Sequence, residues 1–258
     1  MEESDSSNEG TPMSTSPHQA TATPVPASDT ESTSIRPARP TRTEWAHIAI
    51  FAIPYGVLIP TQLIHVLIPQ GSPNFVVLQD VLNMGLLVLV LAFFGREFLS
   101  SFSYMSTRPL RKVAAIIGMV ALTIMAQNLA RAAIATQNSA GSEDLHYLTE
   151  GVAGLVFSFI VALGGPLIEE VFFRHILIGK LSTYAPTWLV ATISCLLFTA
   201  MHCHRWQDIA SYVPIALVLT LAYVCSGKNL ACSWLVHALN NSIIVGAVFL
   251  THGLGTGA

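Results

Sequence analysis

Two adjacent glutamates, Glu169 and Glu170, lie inside an apolar stretch of the chain. Neighbouring carboxylates repel each other and resist ionisation away from water, so another group must compensate them. Arg174 follows Glu170 by four residues, and this spacing on a helix predicts that the two side chains share a face and pair. Glu169 is rotated by about 100° from Glu170. We therefore expect Glu169 to point elsewhere and to be free for chemistry.

Two further polar clusters occur in later apolar stretches. His202 ends the segment Phe198-Thr199-Ala200-Met201-His202, and His237 precedes Asn241 by four residues, which places His237 and Asn241 on one helix face. Asn240 is expected to turn away from that face. Taken singly, each cluster also fits a structural role, because histidine and asparagine commonly form hydrogen bonds between membrane helices.

Together these side chains match the needs of amide hydrolysis. Glu169 has the character of a general base, and His202 is suited to orient the attacking water. His237 and Asn241 can donate hydrogen bonds toward one point and so cradle an oxyanion. Glu170 and Arg174 are interpreted as supporting residues that hold the helix and shape the local field.

The composition requires a membrane around these groups. Of the 258 residues, 52% are hydrophobic and 10% are charged, whereas a soluble domain carries about 25% charged residues. A helix that crosses the hydrocarbon core needs about 20 apolar residues. The sequence predicts an all-α polytopic membrane protein with about seven spans and a membrane-embedded catalytic cavity. The seven predicted spans are 45–68, 75–95, 113–131, 151–177, 186–205, 209–226 and 230–251.

The flanking residues predict the domain organisation and the orientation. Residues 1–42 are rich in Ser, Thr and Pro and predict a disordered cytoplasmic tail, followed by a transmembrane domain over 43–258. If the spans alternate, nine of the basic residues fall on one side and only Arg131 and Arg205 on the other. The positive-inside rule then predicts a multi-pass protein of the plasma membrane with a cytoplasmic N-terminus. Along straight helices, His202 comes out nearer the outer side than Glu169 and His237.

The three motifs, in this order, resemble those of the CAAX-protease and bacteriocin-processing family of intramembrane endopeptidases. The resemblance covers about 150–250 and rests on EExxxR (169–174), FxxxH (198–202) and HxxxN (237–241). It implies a helical membrane fold with a cavity open to the cytoplasm. It also implies that Glu169 and His202 hold the hydrolytic water, while His237 and Asn241 form the oxyanion site. The expected substrate is a membrane-associated protein or peptide, either prenylated at a CAAX-like end or a transmembrane segment.

Two other functions fit the same residues. A zinc-dependent membrane protease would use His, Cys and Glu ligands, but the sequence lacks an HExxH pair, and we expect no cofactor. A non-catalytic scaffold or immunity factor of the same fold would show substituted catalytic residues, and the six key positions match the motifs. The net charge of −3 and the absence of a basic stripe argue against a nucleic-acid partner. The expected surroundings are the lipid bilayer and its proteins.

Overall fold

The computed structural model describes residues 39–58, 73–134, 151–203 and 205–255. These residues form seven helices, and no strand occurs among them. The helices are α1 (Arg42–Leu58), α2 (Pro73–Ser101), α3 (Pro109–Ala133), α4 (151–180), α5 (Thr187–His202), α6 (Ile209–Cys225) and α7 (Leu230–Gly255). Short 3₁₀ turns follow α2 and α4 and precede α6. The prediction of an all-α membrane fold is thereby confirmed.

Five helical stretches are long and apolar enough to cross a membrane. They contain most of α2, α3, most of α4, α6 and most of α7, and their bounds are Val77–Ser106, Pro109–Ala133, Gly154–Thr183, Trp206–Cys225 and Leu230–Leu250. Helix α5 is apolar but has only 16 residues. The predicted first span begins within α1, while its second part, 59–68, lies outside the described residues. The predicted tail also lies outside them, apart from its last four residues.

Helix α4 is not a regular α-helix. Its α-helical parts, Gly151–Phe159 and Gly165–Glu169, alternate with π-helical parts, Ile160–Gly164 and Glu170–Lys180. In the first π-helical part the Gly165 N–H bonds to the Ile160 carbonyl, five residues back. Pro166 follows and has no N–H, so it donates no helical hydrogen bond to Val161, five residues before it. The sequence Gly165-Pro166 therefore exposes a backbone acceptor in the middle of a spanning helix.

Small residues let other helices approach this irregular part of α4. A Cβ atom on Gly164 would lie 3.2 Å from side-chain atoms of Leu87 on α2 and of Ile160, and one on Gly165 would lie 3.1 Å from the Ile160 carbonyl oxygen. Such distances are shorter than most van der Waals contacts of a Cβ atom. A larger residue at position 164 would therefore displace the Leu87 or Ile160 side chain, and one at position 165 would displace the π-helical turn. The two glycines thus fix how closely α4 packs into the bundle.

One end of the bundle is closed by ion pairs. Lys180, at the end of α4, lies 3.1 Å from Glu44 at the start of α1 and 3.5 Å from Glu97 near the end of α2. His175 also pairs with Glu97, at 2.7 Å. The start of α1 and the ends of α2 and α4 therefore lie at the same end of the bundle, which is the arrangement that alternating spans require.

Candidate active site

A buried ion pair connects four helices at the centre of the bundle. Glu170 and Arg174 are both completely buried, and Arg174 Nη1 lies 3.1 Å from Glu170 Oε1. Arg174 Nη2 donates to the Ala216 carbonyl of α6 at 3.3 Å, and its guanidinium lies 4.5 Å from the ring centroid of Phe198 on α5. Glu170 in turn accepts a hydrogen bond from His237 Nδ1 on α7 at 3.0 Å. The predicted pair is present, and its contacts join α4 to α5, α6 and α7.

Glu169 points away from this pair, toward two imidazoles. Its Oε1 lies 3.6 Å from His202 Nε2, and its Oε2 lies 3.7 Å from His237 Nε2. The Glu169 side chain is 21% exposed, whereas that of Glu170 is fully buried. The two neighbouring carboxylates thus have different environments, and only Glu169 is within reach of a reactant.

The second nitrogen of each imidazole is fixed by an acceptor. His202 Nδ1 lies 2.8 Å from the Phe198 carbonyl oxygen, and His237 Nδ1 lies 3.0 Å from the Glu170 carboxylate. Carbonyl and carboxylate oxygens only accept, so Nδ1 carries the proton in both rings. Both Nε2 atoms are therefore directed at Glu169.

Aromatic rings hold His202 in place at the end of α5. The imidazole stacks on Phe198, with centroids 4.4 Å apart, and faces Tyr212 of α6 at 4.9 Å. Straight helices predict that His202 lies nearer the outer side than Glu169. The structure brings the two together, with Glu169 Oε1 3.6 Å from His202 Nε2.

Helix α7 is attached to α4 on both sides of His237. Trp234 Nε1 donates to the Leu163 carbonyl at 3.2 Å, and Asn241 Nδ2 donates to the Val161 carbonyl at 3.0 Å. The Val161 acceptor is the one that Pro166 leaves unused. These two bonds bracket His237 along α7 and so set the position from which its imidazole meets both glutamates.

The predicted site residues thus form one connected group, but they occupy three different positions in it. Glu169, His202 and His237 face one another, and Glu170 and Arg174 lie behind them. Asn241 lies one turn beyond His237, and its amide is bound to Val161 and to Asn240 rather than directly to these three. Sequence reasoning gave no role to Phe198, Trp234 or Asn240. Phe198 lies four residues before His202, and Trp234 and Asn240 lie three residues before and after His237. Residues at these spacings are neighbours on a helix surface, which is the signal that could have found them.

The ionised forms of the two glutamates and the arginine do not balance in charge. Glu169, Glu170 and Arg174 together carry one net negative charge when all three are ionised. Among the side chains that the structure describes, no group of three or more His, Cys, Asp or Glu has the spacing to hold a metal ion. His204, which a zinc protease could also use as a ligand, is outside the described residues.

Comparison with known proteins assigns the part of the chain that holds this site. Residues 151–243, from α4 to the middle of α7, match the family model of the type II CAAX prenyl endopeptidase Rce1-like proteins. Over this segment the chain is similar to the Rce1-like family. All six predicted site residues fall within the matched segment, which agrees with the resemblance of the three sequence motifs.

A curated relative supports the same assignment. The chain is 31% identical over 96 residues to the membrane-embedded CAAX protease MroQ of Staphylococcus aureus (strain USA300). The aligned part is 35% of this chain and 38% of the relative, so the match spans well under half of either protein. No solved structure matches the chain significantly. The similarity to the Rce1-like family therefore covers the helices that carry the site.

Proposed function

We propose that the chain is an intramembrane endopeptidase of the glutamic type, in which Glu169 is the general base. The observation that carries this proposal is the arrangement of one accessible carboxylate between two imidazoles whose Nε2 atoms lie 3.6 and 3.7 Å from it. The similarity of residues 151–243 to a family of endopeptidases supports it.

The separation of Glu169 and His202 suits a hydrolytic water. At 3.6 Å the two atoms are too far apart for a direct hydrogen bond, but a water oxygen about 2.8 Å from each fits beside them. In the proposed reaction Glu169 takes a proton from this water while the water oxygen attacks the scissile carbonyl carbon. The neutral His202 ring accepts a hydrogen bond from the remaining O–H of the water through Nε2, because its Nδ1–H donates to the Phe198 carbonyl.

His237 and Asn241 are proposed to stabilise the oxyanion that forms. A protonated His237 keeps one hydrogen on Glu170 and presents the other from Nε2. Asn241 contributes an amide hydrogen. When the tetrahedral intermediate collapses, the C–N bond breaks and Glu169 returns its proton to the leaving amine, so the enzyme ends in its starting state. General base catalysis contributes about 10²–10⁴-fold, and each oxyanion donor a similar factor.

The proposed substrate is a membrane-associated protein or peptide. Glu169 and His237 lie on helices that are long and apolar enough to span a bilayer, so a substrate must bring its scissile bond into the apolar region. The two candidates are a prenylated CAAX-like end, which the similarity to type II CAAX prenyl endopeptidases suggests, and an unwound transmembrane segment.

The proposed location is the plasma membrane, with the N-terminus and the ion-paired end of the bundle in the cytoplasm. This orientation follows from the excess of basic residues on that side. A protease site inserted in the connection 102–108 between α2 and α3 should be cut only in inside-out vesicles. Cutting in right-side-out vesicles would reverse the proposed orientation.

Glu169→Gln is the variant that tests the proposed activity. Detergent-purified wild type is incubated with a quenched fluorescent peptide library that includes prenylated peptides, with and without chelator. We expect Glu169→Gln to lower kcat by about 10²–10⁴-fold with an unchanged thermal unfolding temperature, and we expect chelator to have no effect.

Glu97→Gln is the matched control, because Glu97 is also a carboxylate paired with a histidine, at 2.7 Å, but outside the site. Its kcat should equal that of wild type. Cleavage by Glu169→Gln at the wild-type rate would remove Glu169 from the mechanism. Loss of activity in chelator would favour a metal-dependent protease.

A further inference from the structure

Asn240 is a buried amide that faces its own neighbour. Its side chain is 1% exposed, and its Nδ2 donates to Asn241 Oδ1 at 3.3 Å. Its Oδ1 is buried without a hydrogen-bond partner among the described residues. A buried carbonyl oxygen without a donor destabilises a fold, so packing alone does not explain an asparagine here.

The Asn241 amide is held at both ends. Its Oδ1 accepts from Asn240, and one Nδ2 hydrogen is donated to the Val161 carbonyl at 3.0 Å. The second Nδ2 hydrogen has no acceptor among the described residues. Two fixed contacts define the plane of the amide, whereas the Val161 contact alone would let the group rotate about the Nδ2–O line. The direction of the remaining hydrogen therefore depends on Asn240.

We propose that Asn240 is a positioning residue that orients the Asn241 amide so that its free N–H, and not its carbonyl, is available to the oxyanion. The inference rests on the proposed function, because it assigns Asn240 a part in the same reaction. Asparagine torsions next to the amide are broad and weakly restricted, so a single hydrogen bond to the Oδ1 end changes which hydrogen-bonding atom faces the substrate. Asn240 touches no reacting atom and acts only through Asn241.

A double-mutant cycle tests this role. Four proteins are compared on a peptide that wild type cleaves: wild type, Asn240→Leu, Asn241→Ala and the combined variant. Asn240→Leu should lower kcat by about 10-fold with less than about a twofold change in KM. In the Asn241→Ala background the same substitution should change kcat by less than about twofold, because the residue through which it acts is gone.

Thermal unfolding separates this role from a structural one. Asn240→Leu removes a buried unpaired oxygen, so its unfolding temperature should equal or exceed that of wild type. Thr220→Val is the matched control, since Thr220 is also buried with an unpaired oxygen. It should keep both the stability and the wild-type kcat.

The outcomes are distinguishable. A wild-type kcat in Asn240→Leu, or effects that simply add in the combined variant, would overturn the positioning role while leaving the proposed function intact. A large fall in unfolding temperature would make Asn240 a structural residue. If wild type cleaves no peptide, or Glu169→Gln cleaves as well as wild type, the proposed function fails first and the inference fails with it.

Discussion

Trp234 and Asn241, seven residues apart on α7, each donate a side-chain hydrogen bond to a backbone carbonyl of the first π-helical part of α4. His237 lies between them on the same helix. The two donors thus fix α7 against the irregular turn of α4 at two points, and His237 meets Glu169 and Glu170 from this fixed position. The loss of either donor should affect the site more than the fold.

Trp234→Phe removes one of these bonds and keeps an aromatic ring. Trp234 also packs edge-to-face on Phe98, with centroids 5.1 Å apart, and a phenylalanine preserves much of that contact. We expect the free energy of unfolding to fall by about 1 kcal/mol and kcat to fall severalfold as His237 shifts. Thermal unfolding and peptide cleavage measure the two effects. A loss of activity as complete as that of Glu169→Gln would contradict a purely positional role for Trp234.

Arg174→Met leaves the Glu170 carboxylate buried without its partner. Both side chains are fully buried, and removal of one member of a buried pair costs about 3–5 kcal/mol. We expect a large fall in the unfolding temperature of the purified protein. Lys180→Met is the control, because its pair with Glu44 is partly exposed and should contribute at most about 1 kcal/mol. Equal effects of the two substitutions would refute the central role of the buried pair.

The contact between α1 and α4 should weaken in acid. The pKa of Glu44 is lowered from 4.5 to about 2, chiefly because its carboxylate accepts from the Thr41 backbone N–H and from Lys180. A lowered pKa means that this stabilisation is present above pH 4.5 and is lost as the pH falls from 4.5 toward 2. Wild type should lose more thermal stability over this range than Glu44→Gln. Parallel pH curves for the two proteins would show that Glu44 contributes nothing.

Periodicity and spacing predicted much of this structure. The apolar stretches predicted the helices, and the four-residue spacing of Glu170 and Arg174 predicted their contact, because both depend only on local helix geometry. The π-helical turns of α4 were not predicted, since the spacing of apolar residues does not distinguish them from regular α-helical turns. The partner of Asn241 was missed for the same reason. A backbone carbonyl such as that of Val161 is invisible in the sequence until the helix geometry exposes it.

Gly179→Ala should be destabilising because of Tyr223. A Cβ atom at position 179 would lie 2.5 Å from the Tyr223 hydroxyl oxygen, and Tyr223 is 1% exposed, so its ring cannot move aside into open space. Overpacking of this kind costs about 1–3 kcal/mol. Adding Tyr223→Phe removes the clashing oxygen and should restore most of the unfolding temperature that Gly179→Ala loses. If the double variant is as unstable as the sum of the single variants, the close approach of Gly179 to Tyr223 does not explain the requirement for glycine.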